Sequence, residues 1–445
     1  MKYIALSLAL IVCTSAKAAE LIKCQDENGV WHYGQTLPVE CAKGAANAGV
    51  AAYKRGDYDT AFKEFSAWAE KGDPSAQNWL ATLYLEGKGI AQNDKTAALW
   101  FQQAAERGKA DAQNSLGELY AEGRGVLRDE EEAAEWFTRS AQQGYADAQY
   151  NLAMMYAGGR GVKRNEQEAV FWLQQAAEQG HVEAQLNLGI MFADGRGVLR
   201  NDQEAAKWYR KAAEQGNAQA QNNLAVRYIN GRGVPRSDQE AAKWFQRAAE
   251  QGLAVAQNSL GFMYANGRGV PQDSTEAAKW YRTAAEQGLI TAQNNIGIMY
   301  ASGRGIPQND REALRWFELA AQRGSADAQN NLGSMYADGR GIARDDKQAV
   351  LWFREAAARG SAPAQYKLGN MYAEGRGVVQ DFKEATVWYR RAAEQGNVDA
   401  QYRLGALYAD ARSGLRNNDE AIKWLRKAAE QGNPYARAKL QELIR

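Results

Sequence analysis

Residues able to do acid–base, nucleophilic or soft-metal chemistry are scarce in this 445-residue chain: it has two His and three Cys. So small a set argues against repeated metal sites and against a histidine-rich active site, and no catalytic residue, metal site or cofactor is expected. His32 lies between Trp31 and Tyr33 and reads as a cross-strand packing residue. His181 stands where other copies of a repeat carry Tyr145, Asn217 or Leu253, and reads as a surface substitution. Two further patterns look chemical. Gly195-Arg196-Gly197-Val198 and its copies form Gly-rich stretches, but their spacing is not that of a phosphate-binding loop and no strand precedes them. A tryptophan recurs at Trp100, Trp136, Trp172, Trp208, Trp244, Trp280, Trp316, Trp352, Trp388 and Trp424. Held among alanines at helical spacing, it reads as core.

The spacing of those tryptophans is the period of the whole molecule. Shifting the sequence by 36 residues superposes 73–432 on itself, giving ten units from 73–108 to 397–432. Periods of 20–50 residues mark solenoids, whose units pack only on their neighbours. Each unit reads as two helices. In the first (helix A), Ala220, Leu224, Ala225 and Tyr228 share one face, and a Gly or Ala after the Leu allows close approach. In the second (helix B), Ala241, Trp244, Phe245, Ala248 and Ala249 do so. Helix B starts at a capping residue such as Asp129, Asn201 or Asp273, with Glu132, Glu204 or Glu276 three residues later, the pattern of a reciprocal capping box. It ends at a Gly such as Gly144 or Gly252, fit for a left-handed C-terminal position. Arg124, Arg160, Arg196, Arg232, Arg268, Arg304, Arg340 and Arg376 form a row that nearby carboxylates (Glu122, Asp194, Asp338) neutralise. Lys plus Arg total 54 against 53 Asp plus Glu. That balance leaves no footprint for nucleic acid or an anionic membrane.

If the Leu–small–Tyr positions of helix A face the core, the positions two before and two after the Leu lie on its other face. The first series includes Asn222, Asn258, Asn294 and Asn330; the second includes Met154, Ile190, Val226, Phe262 and Ile298. An asparagine row beside an apolar strip suits a partner, because amides hold an extended backbone and apolar surface marks interaction sites.

The ends differ from the repeats. Lys2, the apolar run Tyr3 to Val12 and Ala16-Lys17-Ala18 read as a secretory signal over 1–18, cleaved after Ala18. Cys13 leaves with the signal. No other segment is apolar enough for membrane insertion, so the mature protein is expected to be soluble, periplasmic or secreted. In 19–44, alternating residues around Asn28-Gly29 predict a β-hairpin, and Cys24 and Cys41, the two Cys left after cleavage, predict a disulfide. Residues 45–72 read as a variant capping repeat and 433–445 as a C-terminal capping helix.

The pattern A-x-A-Q-x-x-L-G-x-M-Y-A-x-G-R-G-V, followed by N/D-x-x-E-A-x-x-W-[FY]-x-x-A-A-E-Q-G, resembles Sel1-like repeats, which are related to the tetratricopeptide repeat. The resemblance implies an all-α fold, an α/α solenoid wound as a right-handed superhelix of helix-turn-helix repeats, here preceded by the small β-hairpin. It also implies an adaptor with a concave groove lined by the asparagine and apolar series. Asp26, Gly29, Trp31, Tyr33 and Pro38 resemble a small domain of unknown function found at the start of exported bacterial proteins. The expectation is thus an exported, non-enzymatic scaffold binding a protein or peptide partner. An alternative is an envelope polysaccharide-binding protein using Tyr366 and Tyr402. A third reading is a peptidoglycan or β-lactam hydrolase; a branch of the family linked with that activity carries a Cys pair in each repeat, and no repeat here has a Cys.

Overall fold

The structure, a computed structural model, describes residues 22–25, 31–34 and 48–444. Ile22–Gln25 (β1) and Trp31–Gly34 (β2) run antiparallel with Cys24 opposite His32. The turn between them and Cys41 lie outside the described residues, as does the signal over 1–18. The expected disulfide-closed hairpin over 19–44 therefore falls largely outside them too.

The remainder is a repeat solenoid of α-helices, in two compact units, residues 1–215 and 216–445. The first holds α1 (48–54), α2 (Tyr58–Ala69), α3 (Pro74–Glu86), α4 (Asp94–Glu106), α5 (Ala110–Glu122), α6 (Glu130–Gln142), α7 (Ala146–Gly158), α8 (Glu166–Glu178), α9 (Val182–Asp194) and α10 (Asp202–Glu214). The second holds α11 (Ala218–Asn230), α12 (Asp238–Glu250), α13 (Ala254–Asn266), α14 (Ser274–Glu286), α15 (Ile290–Ser302), α16 (Asp310–Gln322), α17 (Ala326–Asp338), α18 (Asp346–Ala358), α19 (Ala362–Glu374), α20 (Phe382–Glu394), α21 (Val398–Ala409), α22 (Asn418–Glu430) and α23 (Pro434–Ile444). From α3 to α21 the odd-numbered helices are the A helices of the repeats; their B helices are α4 to α22. Within each unit, helices pack chiefly on their neighbours in the chain.

Local chemistry sets the boundaries. Asp129 caps α6 by accepting from the Glu131 and Glu132 amides, and Asn201 caps α10 likewise. Each capped B helix ends before a left-handed Gly, as at Gly144 with φ +87°. The reciprocal half of the expected capping box is absent at these caps. The Asp129 amide donates instead to the Tyr120 carbonyl at 3.0 Å, and the Asn201 amide to Phe192 at 2.9 Å. The freed Glu132 carboxylate accepts from Trp136 Nε1 at 2.9 Å, and Glu204 pairs with Lys207. Each cap thus ties helix B to the preceding helix A.

The tryptophans join one repeat to the next. Trp136 is buried in a cluster with Ala97 and Phe101 of the preceding repeat and Leu116 of its own, and Trp208 in one with Ala169 and Leu173 of the preceding repeat and Leu188 of its own. In the second unit Trp316 enters the cluster of Tyr281 and Ile296. The Gly after a helix-A Leu makes room for a helix-B ring in several repeats: a side chain at Gly261 would strike the Tyr281 ring, and one at Gly189 the Tyr209 ring.

The Gly-rich loop is a clasp between repeats. A Cβ at Gly269 would collide with the Asp238 carbonyl, and φ there is +69°. Beside it Arg268 holds the Asp238 carboxylate at 3.0 Å. The same pairing joins Arg124 to Asp94, Arg196 to Glu166, Arg340 to Asp310 and Arg376 to Asp346. The principal partner is therefore the first residue of the preceding helix B, not the carboxylates nearest in sequence; Glu122 stands off at 3.8 Å from Arg124.

A second ladder runs through the core, and the sequence reading gave it no role. The buried Gln of A-x-A-Q sends its Nε2 to the helix-B carbonyl eight residues back, as Gln257 does to Ala249 at 3.1 Å. Its oxygen accepts from the Gln of the next E-Q-G, as Gln257 does from Gln287 at 2.7 Å.

Candidate binding site

The odd-numbered helices each use one stripe for the core and two flanks for neighbouring repeats, so only a narrow strip faces solvent. In the second unit that strip carries the expected apolar residues. Val226 on α11, Phe262 on α13 and Ile298 on α15 are 42%, 46% and 42% exposed. They line two concavities of about 230 Å³ each. Val226, Ile229, Asn258, Ser259, Phe262 and Asn295 surround the first, with Phe245 at its floor. Ile298, Ser302, Asn331, Ser334 and Asp338 surround the second, over Phe317. Helices α13 and α15 contain no charged residue.

The asparagines lie deeper than expected. Asn222 and Asn294 are only 6% and 8% exposed, and Asn258 and Asn330 are half-buried. Their amides work between repeats. Asn295 Nδ2 donates to Asn258 Oδ1 at 3.0 Å, and Asn331 Nδ2 to Asn294 Oδ1 at 3.0 Å. In both pairs the donor lies 37 residues further on, whereas Asn222 and Asn330 donate their own Nδ2 to the neighbouring Asn223 and Asn331. Where the residue 37 further on is Ser259 or Lys367, the oxygens of Asn222 and Asn330 are left buried with no hydrogen bond. Of the expected series Asn258 lines a cavity, as do Asn295 and Asn331, which the expectation did not include. The doubled Asn222-Asn223, Asn294-Asn295 and Asn330-Asn331 was the signal for them.

In the first unit, Met154 on α7 and Ile190 on α9 are half-buried. This strip is more acidic. The Glu118 carboxylate accepts from Asn114 Nδ2 at 2.9 Å and Asn151 Nδ2 at 3.2 Å. His181 is not a plain surface substitution. Its Nδ1 accepts the Ala184 amide at 3.1 Å, capping α9, its Nε2 lies 3.4 Å from Asp147, and its ring stacks on Tyr150 at 4.7 Å.

Tyr366 leans on Tyr389, with ring centres 6.1 Å apart, and Tyr402 on Tyr435 at 6.0 Å. Among the described residues no cluster of His, Cys, Asp and Glu could hold a metal ion, and no helix is long and apolar enough to cross a membrane.

Ten consecutive segments, from 74–109 to 398–433, match the Sel1 repeat, and residues 8–60 match a domain of unknown function, DUF4124. Among solved structures, the chain is similar to a protective antigen present in uropathogenic Escherichia coli strains that displays an SLR fold. The two are 36% identical with a TM-score of 0.85, over 91% of this chain and 87% of that one. It is also similar to a Sel1 repeat protein from Oxalobacter formigenes, at 34% identity and a TM-score of 0.55, over 74% of this chain and 93% of that one. Among curated proteins none matches.

Proposed function

Because the chain belongs to the Sel1 repeat family, we propose that it is an exported, non-enzymatic scaffold that holds an extended protein segment along its A-helix face. The observation that carries this reading is the run Val226, Phe262 and Ile298: three large apolar side chains, exposed on the A helices of successive repeats, each at a concavity bordered by side-chain amides. Exposing apolar side chains in a row marks an interaction surface, and amides beside them suit a peptide backbone. Among the residues that looked chemical, His181 caps a helix, five of the loop arginines hold carboxylates, and the Gly-rich loops clasp repeats. That use of them supports a binding role over turnover.

Export rests on the signal-like residues 1–18 and on Cys24 and Cys41, which we read as a disulfide closing a hairpin over 19–44. The 36%-identical relative is described as a protective antigen, which fits a protein found outside the cytoplasm. The glycan reading is the weaker one, since Tyr366 and Tyr402 each lean on a second tyrosine rather than standing free.

Replacing Val226, Phe262 and Ile298 together with Ser tests the site. The variant should keep its helical circular dichroism and lose the partner that wild-type protein crosslinks in the envelope fraction. The same crosslinked partner, captured in the same yield, would place the site elsewhere.

A further inference from the structure

One position on the A-helix strip changes character along the second unit. It is Asn223, Ser259, Asn295 and Asn331 on α11 to α17, then Lys367 on α19 and Arg403 on α21. The middle of the strip is therefore uncharged for four repeats and cationic in the next two. Lys367 Nζ donates to Ser334 Oγ at 2.6 Å, and Ser334 lines the cavity at Ile298. The ammonium thus sits at the rim of that concavity, whose lining also includes Asp338 and Arg340. Arg403 hydrogen-bonds the Tyr366 hydroxyl. Among the described residues neither cation has a carboxylate in ion-pair contact.

Lys367 is also locally unfavourable. Burial pushes its ammonium below the ordinary lysine range, with Asp338 pulling the other way. In its place an Asn would satisfy Asn330 as Asn331 satisfies Asn294; with Lys, the Asn330 oxygen is buried without a partner. The contacts of Lys367 are the Ser334 hydroxyl and the Phe353 ring, 5.6 Å from Nζ; a residue that breaks the local pattern and leaves a buried oxygen unpaired is characteristic of a binding site.

We propose that Lys367 and Arg403 form a carboxylate subsite that fixes the acidic end of an extended peptide whose apolar side chains occupy the cavities at Phe262 and Ile298. This rests on the peptide-binding reading of the same face and adds the chemistry of the partner. Charge complementarity selects the occupant: a run of exposed apolar side chains followed by two cations with no carboxylate in ion-pair contact fits a linear ligand that is apolar and then acidic. Repeats stack at roughly 10 Å and an extended chain rises about 3.3 Å per residue. Because Lys367 Nζ reaches back to the rim of the Ile298 cavity, a carboxylate that meets it lies about three residues from an apolar side chain in that cavity and about six from one in the cavity at Phe262. A side-chain carboxylate and a free C-terminus present the same chemistry.

The test selects binders to the full chain from two random dodecapeptide libraries, one with free C-termini and one amidated, and measures the recovered peptides on variants. The expected peptides carry an apolar residue and, about three or about six positions away, Asp, Glu or, in the first library alone, the C-terminal carboxylate. Enrichment confined to the first library identifies the C-terminus; enrichment in both identifies the side chain. Lys367→Asn with Arg403→Gln should weaken them roughly ten- to hundredfold, as loss of charge-assisted bonds does. Lys367→Asn alone should melt no lower than wild type; a lower melting point would make Lys367 structural and overturn the assignment. Peptides bound without carboxylate preference, or equally well by the double variant, would overturn the subsite and leave the apolar groove standing. Recovery of no peptide from either library would overturn the groove reading itself. An oligogalacturonate probe bound more tightly than any peptide, and lost in the double variant, would overturn the peptide as occupant.

Discussion

Gln293 and Gln329 each bury an amide oxygen that meets no donor. In other repeats the same oxygen accepts from the E-Q-G glutamine thirty residues on, as Gln221 does from Gln251 and Gln365 from Gln395. At these two sites the donor position holds Arg323 and Arg359, and Arg323 turns to the Gly288 carbonyl. Glutamine can make both bonds: Gln215 Nε2 reaches the Gly180 carbonyl at 3.1 Å and Gln185 Oε1 at 2.8 Å. Arg323→Gln and Arg359→Gln should therefore each stabilise the protein by about 1 kcal/mol, because an unmade buried hydrogen bond costs that much or more. Denaturant melts of the two variants check this; unchanged or lowered midpoints would contradict it. Both glutamines were visible in the repeat motif, but their pairing was not. The contact joins different repeats, and a period alone does not say which faces meet.

At the scale of helices, what the repeat pattern made legible was each helix and its cap. It left out where the cap's own amide and the loop arginine go. Both reach the preceding helix, so each helix B is fastened at its first turn. That fastening depends on ionised carboxylates. Hydrogen bonds from Arg124, Arg268 and Arg340 hold Asp94, Asp238 and Asp310 below the usual carboxylate range. Arg164 and then Arg196 do so for Glu166, and Arg376 and then Arg344 draw Asp346 down to about 2. A carboxylate whose folded pKa is depressed adds stability that is full above its unfolded value and lost as pH falls through the folded one. The melting temperature should thus hold level from pH 7 to about 5 and fall between about pH 4 and 2. In the variant with Asp238, Asp310 and Asp346 changed to Asn, that decline should be shallower; an equally steep decline would assign acid sensitivity to other groups. The asparagine row was misplaced for a related reason. Two residues from the core Leu is the opposite side of one helix, but a solenoid helix is flanked on two more sides. Asn222 and Asn294 fall on a covered flank, while Val226 and Phe262 fall on the open strip.

Over the whole molecule, repetition divides the work between constant and variable letters. Positions that recur, such as Trp, Gly-Arg-Gly and the glutamines, build the fold. The residue two after the core Leu changes freely, from Glu118 and Met154 in the first unit to Phe262, Ile298 and Ser334 in the second. On the proposed reading partner choice is encoded there, and because no portable motif carries it, the sequence pointed to the face without naming a partner. The most direct measurement places a photo-crosslinking benzoylphenylalanine at Phe262, on the open strip of α13, or at Lys243, exposed on α12, in protein expressed in its native cells. The account predicts a discrete crosslinked species from position 262 and none from 243. A species from 243 with none from 262 would contradict it.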